Sequence, residues 1–290
     1  GVTAIYDDYE ALIAHEGLDA IGMAVGPEIH RRASLAALGR GLGVFMEKPP
    51  AADAAGAREI AAAAEAAGRP VLCGFMKRYS TGNRIAKNIL TGDFGPVLGV
   101  LGTYMTAPTY FAGEVDYTGF FLHHCVHYMD LMPWLAGAPF AEIAARRVEH
   151  EPGKLLFHLN VTFANGAIGT LVMGTVQSRG TPMEFIQVMG DHKRVEIDNV
   201  INVAYHRDPP FKADDPAATL ADTSDTLTWS PNFTAAANED HKGYNALMAD
   251  VATALRGEAS AAPTIADGVA AMANLDRKVA LVTEAAARAG

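Results

Sequence analysis

Between Asp19 and Phe75 short apolar runs alternate with helical segments, and this alternation restricts the chain more than any other feature. Asp19-Ala20-Ile21-Gly22-Met23-Ala24-Val25, Val44-Phe45-Met46 and Pro70-Val71-Leu72-Cys73-Gly74-Phe75 are apolar almost throughout, as expected of strands buried on both faces. Thr3-Ala4-Ile5-Tyr6 reads as a shorter strand before them, and Asp8 as the cap of a helix over 9–15. Pro27 opens a loop, and a helix runs over 29–38 until Gly39 and Gly41 end it. Asp53 caps an Ala-rich helix to Ala67, with Gly68 just past its end. Strands and helices in turn imply a parallel sheet with right-handed crossovers, whose ligands lie at the carboxyl ends of the strands. Glu47-Lys48-Pro49 stands at one such end, and Lys77-Arg78, a pair able to hold an anionic substrate group or simply to face solvent, at another.

After about Tyr79 the pattern changes. A helix over 83–90 and the turn Gly92-Asp93-Phe94-Gly95-Pro96 lead into β-like stretches over 97–106, 143–148, 155–163, 167–175, 184–189 and 194–198. Asn165-Gly166 and Gly190-Asp191 join neighbours among them as turns, so most of this sheet is expected to be antiparallel. Helices are expected over 121–135, 240–255 and 265–287, and residues 208–230, rich in Pro, Asp and Thr, read as a long surface loop. The expected fold is therefore α/β plus α+β: an incomplete Rossmann-type parallel sheet over 1–78, then an open, mostly antiparallel sheet domain over 79–290.

A formal charge of −10 repels phosphate backbones and anionic lipid, which argues against nucleic-acid and membrane partners but leaves room for a local basic pocket that holds an anionic small-molecule substrate. No apolar run approaches the ~18 residues that cross a bilayer. The opening residues do not read as a signal peptide, and two cysteines, Cys73 and Cys125, make no disulfide framework, so a cytoplasmic location is expected.

Several motifs stand in one order: Pro27-Glu28-Ile29-His30, Glu47-Lys48-Pro49, Lys77-Arg78-Tyr79, Gly92-Asp93-Phe94-Gly95, then Leu122-His123-His124-Cys125-Val126-His127-Tyr128-Met129-Asp130 with Trp134-Leu135-Ala136-Gly137, and Thr264-Ile265-Ala266-Asp267-Gly268. In this order and spacing the chain resembles the Gfo/Idh/MocA family of NAD(P)-dependent sugar and polyol dehydrogenases over nearly its whole length. The resemblance implies that Lys48 lies beside the reacting carbon and its hydroxyl, with His127 as the histidine of the substrate helix and Asp130 close by. It places Glu47, Pro49 and His30 near NAD or NADP, although a capping or packing role suits His30 equally. It also implies a homo-dimer or tetramer formed through the open sheet.

Two features depart from the family pattern. No Gly-x-Gly-x-x-Gly follows a strand near the start, and Val2–Tyr6 matches the third strand of the usual order. Either about 50–60 residues of strand, glycine loop and helix precede the chain as written, or the protein lacks that half and does other chemistry. In both cases the chain as written is expected to bind nicotinamide poorly. Secondly, His123 stands where the family has an acid, giving Lys48, His123 and His127 as the catalytic set. Histidines at i and i+4 also match metal-ligand spacing, with Glu114, Asp116 or His158 as third ligands by type only, but a metal-free polar pocket is the stronger expectation. Beside the dehydrogenase reading stand a cofactor-free lyase, hydratase or isomerase using the same three side chains, and a non-catalytic binding subunit.

Overall fold

The computed structural model describes residues 4–108, 117–178, 183–207, 212–214, 219–221, 226–230 and 240–287. The chain begins α1 (Tyr9–Ala14), β1 (Ala20–Met23), α2 (Pro27–Gly39), β2 (Gly43–Glu47), α3 (Ala54–Ala67), β3 (Val71–Gly74). A 3₁₀ turn (Met76–Tyr79), α4 (Thr81–Thr91) and β4 (Gly99–Met105) follow. A π-turn (Phe121–Cys125) then runs into α5 (Val126–Ala136), and after it come β5 (Phe140–Glu149), β6 (Leu155–Phe163), β7 (Ile168–Gly174), β8 (Glu184–Gly190), β9 (Lys193–Asp198) and β10 (Asn202–Arg207). Three short strands, β11 (Lys212–Asp214), β12 (Thr219–Ala221) and β13 (Thr226–Trp229), and two helices, α6 (Tyr244–Leu255) and α7 (Ile265–Ala287), complete the order. Contacts gather residues 1–76, 119–130 and 244–277 into one compact unit, and 77–118, 131–243 and 278–290 into a second.

In the first unit β1, β2 and β3 form a parallel sheet in that order. β2 is its middle strand, pairing Val44–Met46 with Ile21–Met23 on one side and with Val71–Cys73 on the other. Val44 and Met46 are fully buried and Phe45 nearly so, which accounts for the unbroken apolar run. α3 is fixed at both ends. The Asp53 carboxylate accepts from Gly56 N–H at 2.7 Å, Asp276 of α7 accepts from Ala54 N–H at 2.9 Å, and Gly68 closes the helix in the left-handed region at φ 61°.

Two expectations in this unit are corrected. Ala4–Tyr6 carries no strand, and Thr3 lies outside the described residues. Among the described residues nothing pairs with the outer edge of β1, Ala4–Tyr6 included, and Ile5 is exposed. Pro27 does not open a loop. It is the first residue of α2, a position where its missing N–H costs nothing.

In the second unit an eight-stranded sheet runs β13-β10-β9-β8-β4-β7-β6-β5. Its described pairings are antiparallel except β4 with β7. One face is core: Leu155, Phe157, Leu159, Val161 and Phe163 alternate inward along β6, and α4 packs on β9 and β10. The Lys278 ammonium lies over the Phe157 ring, 4.8 Å from its centre. Tyr117, at φ 57° despite its side chain, donates its hydroxyl to Glu149 at 2.5 Å and accepts from Gly153 N–H at 2.9 Å. The expected loop over 208–230 is corrected in part, because β11 pairs β12 and β13 pairs β10. β10, over 202–207, was not expected at all. Both cysteines are buried and outside any disulfide, and among the described residues no helix is long and apolar enough to cross a membrane.

The two carboxylates at the start of α3 generate a stability prediction. Asp53→Ala is expected to cost about 1 kcal/mol and Asp53→Asn much less, read as a shift in urea midpoint at constant slope.

Candidate active site

β2 ends where its ladder runs out, at Glu47 opposite Gly74 of β3. The Glu47 side chain lies across that glycine, and a Cβ built on Gly74 would sit 2.9 Å from the Glu47 carboxyl carbon. Only a residue without a side chain leaves the carboxylate this place. Glu47 is half-buried, and burial pushes its pKa up, opposed by the Lys48 N–H, which donates to it at 3.3 Å, and by the Lys48 charge. The next peptide, Lys48–Pro49, is cis.

Lys48 is half-buried, and its ammonium donates to the backbone carbonyl of His123 at 2.8 Å. That carbonyl belongs to the π-turn Phe121–Cys125, in which Val126 N–H reaches back to the Phe121 carbonyl, five residues earlier. Such turns loosen the regular ladder and recur at functional sites. The side chain of His123 is exposed, whereas His127 and Asp130, one and two turns further along, are buried. His124 stacks on Phe120 with ring centres 5.9 Å apart. From α7, the Asn274 side chain donates to the Met129 carbonyl at 3.4 Å, tying the same helix down.

His30, fully buried on the first turn of α2, meets this segment from another direction. Its Nδ1 lies 2.9 Å from the Pro49 carbonyl, and Val25 N–H, just past β1, lies 3.3 Å from its Nε2. Burial lowers its pKa below the usual 6.5, with the carbonyls of Pro49 and Met23 acting in the opposite sense.

The structure thus brings Lys48, Glu47, Pro49, His30 and the His123 backbone into one connected set. Lys77 and Arg78 belong to the second unit. Lys77 is buried, ion-paired with Glu184 and set over the Tyr104 ring. Its own carbonyl accepts from Ser80 Oγ at 2.9 Å and Asn83 Nδ2 at 2.8 Å. Arg78 beside it is half-buried. Among the described residues no group of three or more His, Cys, Asp or Glu is placed to hold a metal ion. Glu114 and Asp116 lie outside those residues, and His158 is an exposed residue of β6. The sequence reading missed Gly74, Val25 and Glu184. Only Gly74 left a trace, as a glycine ending an otherwise apolar strand.

Comparison with known proteins identifies the family and the fold. Residues 1–75 match the family model described as "Oxidoreductase family, NAD-binding Rossmann fold", and residues 86–283 match "Oxidoreductase family, C-terminal alpha/beta domain". An inositol 2-dehydrogenase of Paracoccus denitrificans is 37% identical over 133 residues, 45% of this chain and 39% of that protein. The alignment therefore spans about two fifths of that curated relative. A dehydrogenase structure from Chromobacterium violaceum superposes with a TM-score of 0.82 at 21% identity, over 97% of this chain and 81% of the other. An oxidoreductase domain protein from Kribbella flavida gives 0.75 at 21% identity, over 97% and 82%. These structural likenesses speak to fold. The chain belongs to the Gfo/Idh/MocA oxidoreductase family.

The buried carboxyl generates a prediction with a definite sign. Because the folded pKa of Glu47 is raised above 4.5, its favourable protonated form is fully present below that value, and its contribution is lost as pH rises through the folded pKa. Glu47→Gln is therefore expected to be more stable than the parent at pH 7, with the gap closing below about pH 4, as measured by thermal melts across pH.

Proposed function

We propose that this member of the oxidoreductase family is an NAD(P)-dependent dehydrogenase of a sugar, cyclitol or related polyol, with Lys48 as the group that moves the hydroxyl proton. The observation that carries the reading is the Lys48 ammonium at the carboxyl end of the middle parallel strand, oriented by the His123 carbonyl at 2.8 Å. Ligands of parallel sheets gather at these strand ends. The donor set suits a nicotinamide: a half-buried carboxyl whose neutral form burial favours, a glycine that leaves room over it, and the start of α2, which directly follows β1 at the same end of the sheet. A bound nicotinamide would supply the hydride acceptor, held beside Glu47 and Pro49.

The chain's own residues handle the proton. As a carbinol becomes a carbonyl, its hydroxyl proton must leave, and Lys48 Nζ in its neutral form takes it. In the reverse direction the ammonium returns it to the developing alkoxide. His127 is proposed as the second hydrogen-bonding partner of the substrate oxygen, His123 as a substrate-positioning residue and Asp130 as a further hydroxyl contact. Arg78 is proposed to hold an anionic substrate group. The pairing of Lys77 with Glu184 leaves it better suited to holding the second unit than to holding substrate. The name of the Paracoccus relative favours a cyclitol among the substrates. Two buried cysteines outside any disulfide suit a reducing, cytoplasmic setting.

Leu101, Ile168, Phe185 and Val148 are exposed on the solvent-side face of the eight-stranded sheet. A face of this kind supports a homo-dimer or tetramer built by covering it.

Two measurements test the proposal, both on the product of the complete reading frame. Lys48→Met is expected to lower kcat on the best cyclitol or sugar of a panel by about 10²–10⁴-fold, with NADH affinity by fluorescence titration changed less than about threefold. Full activity in this variant would remove Lys48 from the chemistry. For the assembly, light scattering is expected to show Leu101→Arg and Ile168→Arg together shifting the mass to that of a monomer.

A further inference from the structure

A backbone carbonyl can only accept a hydrogen bond, so the 2.9 Å contact between His30 and the Pro49 carbonyl places a proton on Nδ1. In a neutral ring Nε2 then accepts from Val25 N–H at 3.3 Å, with the Met23 carbonyl also beside the ring. The neutral form is also the one that full burial favours. Each of these backbone groups lies beyond a regular ladder: Val25 follows the end of β1, and Pro49 follows the end of β2. Pro49 and Pro50 have no N–H, so the segment after Lys48 cannot be held through amide donors of its own at these two positions. An imidazole with a donor on one edge and an acceptor on the other spans this gap at a fixed distance.

We infer that His30 is a positioning residue for Lys48: as the Nδ1–H tautomer it ties the Pro49 carbonyl to the end of β1, and so holds the backbone from which Lys48 reaches the His123 carbonyl. Lys48 is thereby tethered twice, through its neighbour's carbonyl on the backbone side and through Nζ on the helix side. Loss of the first tether leaves the lysine present but displaced. Displacement of a reacting group by about 1 Å is enough to cost ~10²-fold in rate. The catalytic part of this inference rests on the dehydrogenase reading above, and its structural part does not.

The test has one arm without substrate and one with it. In protein labelled with ¹⁵N-histidine, long-range ¹H–¹⁵N correlation at pH 7 is expected to show His30 with a protonated Nδ1 and a bare Nε2. The opposite tautomer, or a charged ring, overturns the inference. In reductively ¹³C-methylated protein, assigned with Lys48→Arg, the Lys48 signal and its titration midpoint are expected to move in His30→Ala, while exposed Lys154 stays in place. His30→Asn, which keeps an N–H donor near the Pro49 carbonyl, is expected to restore much of the parent signal. With substrate, His30→Ala is expected to lose about 10–100-fold in kcat with KM within about threefold, and His30→Asn to recover part of that loss. An unmoved Lys48 signal in a folded His30→Ala overturns the proposal. If His30→Ala does not fold, the tautomer and His30→Asn decide it. Should the parent turn over no polyol, the reading of the reaction fails while both NMR results still stand or fall by themselves.

Discussion

The constraint on which the first unit depends is that β2 must be satisfied on every side. It is paired along both edges and buried on both faces, so Val44, Phe45 and Met46 have no freedom to be polar, and the strand cannot slip register without breaking two ladders. This rigidity delivers Glu47 and Lys48 to a defined place. A charged pair directly after a fully buried strand is costly to hold unless each group finds partners, and here each does: the Glu47 carboxylate has the Lys48 N–H, the Lys48 ammonium has the His123 carbonyl.

The residues around this strand end divide into those proposed to carry chemistry and those that hold them. Gly74 gives Glu47 room, Asp53 and Asp276 fix the helix that follows, and Asn274 restrains the helix bearing His127. In the second unit the pairing of Lys77 with Glu184 works in the same way, joining the turn at Met76–Tyr79 to β8 through a buried ion pair. Such pairs add little net stability but make the alternative, one unpartnered charge in the interior, expensive. Positions of this kind are where a functional site is made precise without touching its ligand.

Much of this was legible in the sequence, for physical reasons that differ from residue to residue. The alternation of apolar strands with helices, the Asp53 cap, Gly68 and the Asn165-Gly166 turn are local signals, and β1–β9 and α3 fall within a few residues of where those signals put them. β10 and β13 were missed because Asn202–Arg207 and Thr226–Trp229 are polar on one face and embedded among Pro, Asp and Thr, so their strand character comes from pairing with each other and with β9. Ala4–Tyr6 failed in the opposite sense, since a short apolar run that pairs with no described strand and leaves Ile5 exposed has nothing to hold it extended. Lys48 was legible through its motif. Its partner was not, because the acceptor is a main-chain carbonyl that a π-turn offers, and no residue type announces that. His30 was legible as a residue of interest but its bonds to Val25 and Pro49 were not, being set by folding alone.

The reading proposed for the end of β2 is that Lys48 takes the hydroxyl proton of a carbinol that nicotinamide would oxidise. The most direct measurement is a label-transfer experiment: incubate the full protein and NAD(P) with a turned-over cyclitol or sugar carrying deuterium on the carbinol carbon, and analyse the reduced cofactor by mass spectrometry and proton NMR. The deuterium is expected on C4 of the reduced nicotinamide, on one face, in amount equal to the substrate oxidised. Consumption of the substrate with its deuterium lost to solvent or kept in the product, and none in the cofactor, would contradict it and leave the scaffold to acid–base chemistry without redox.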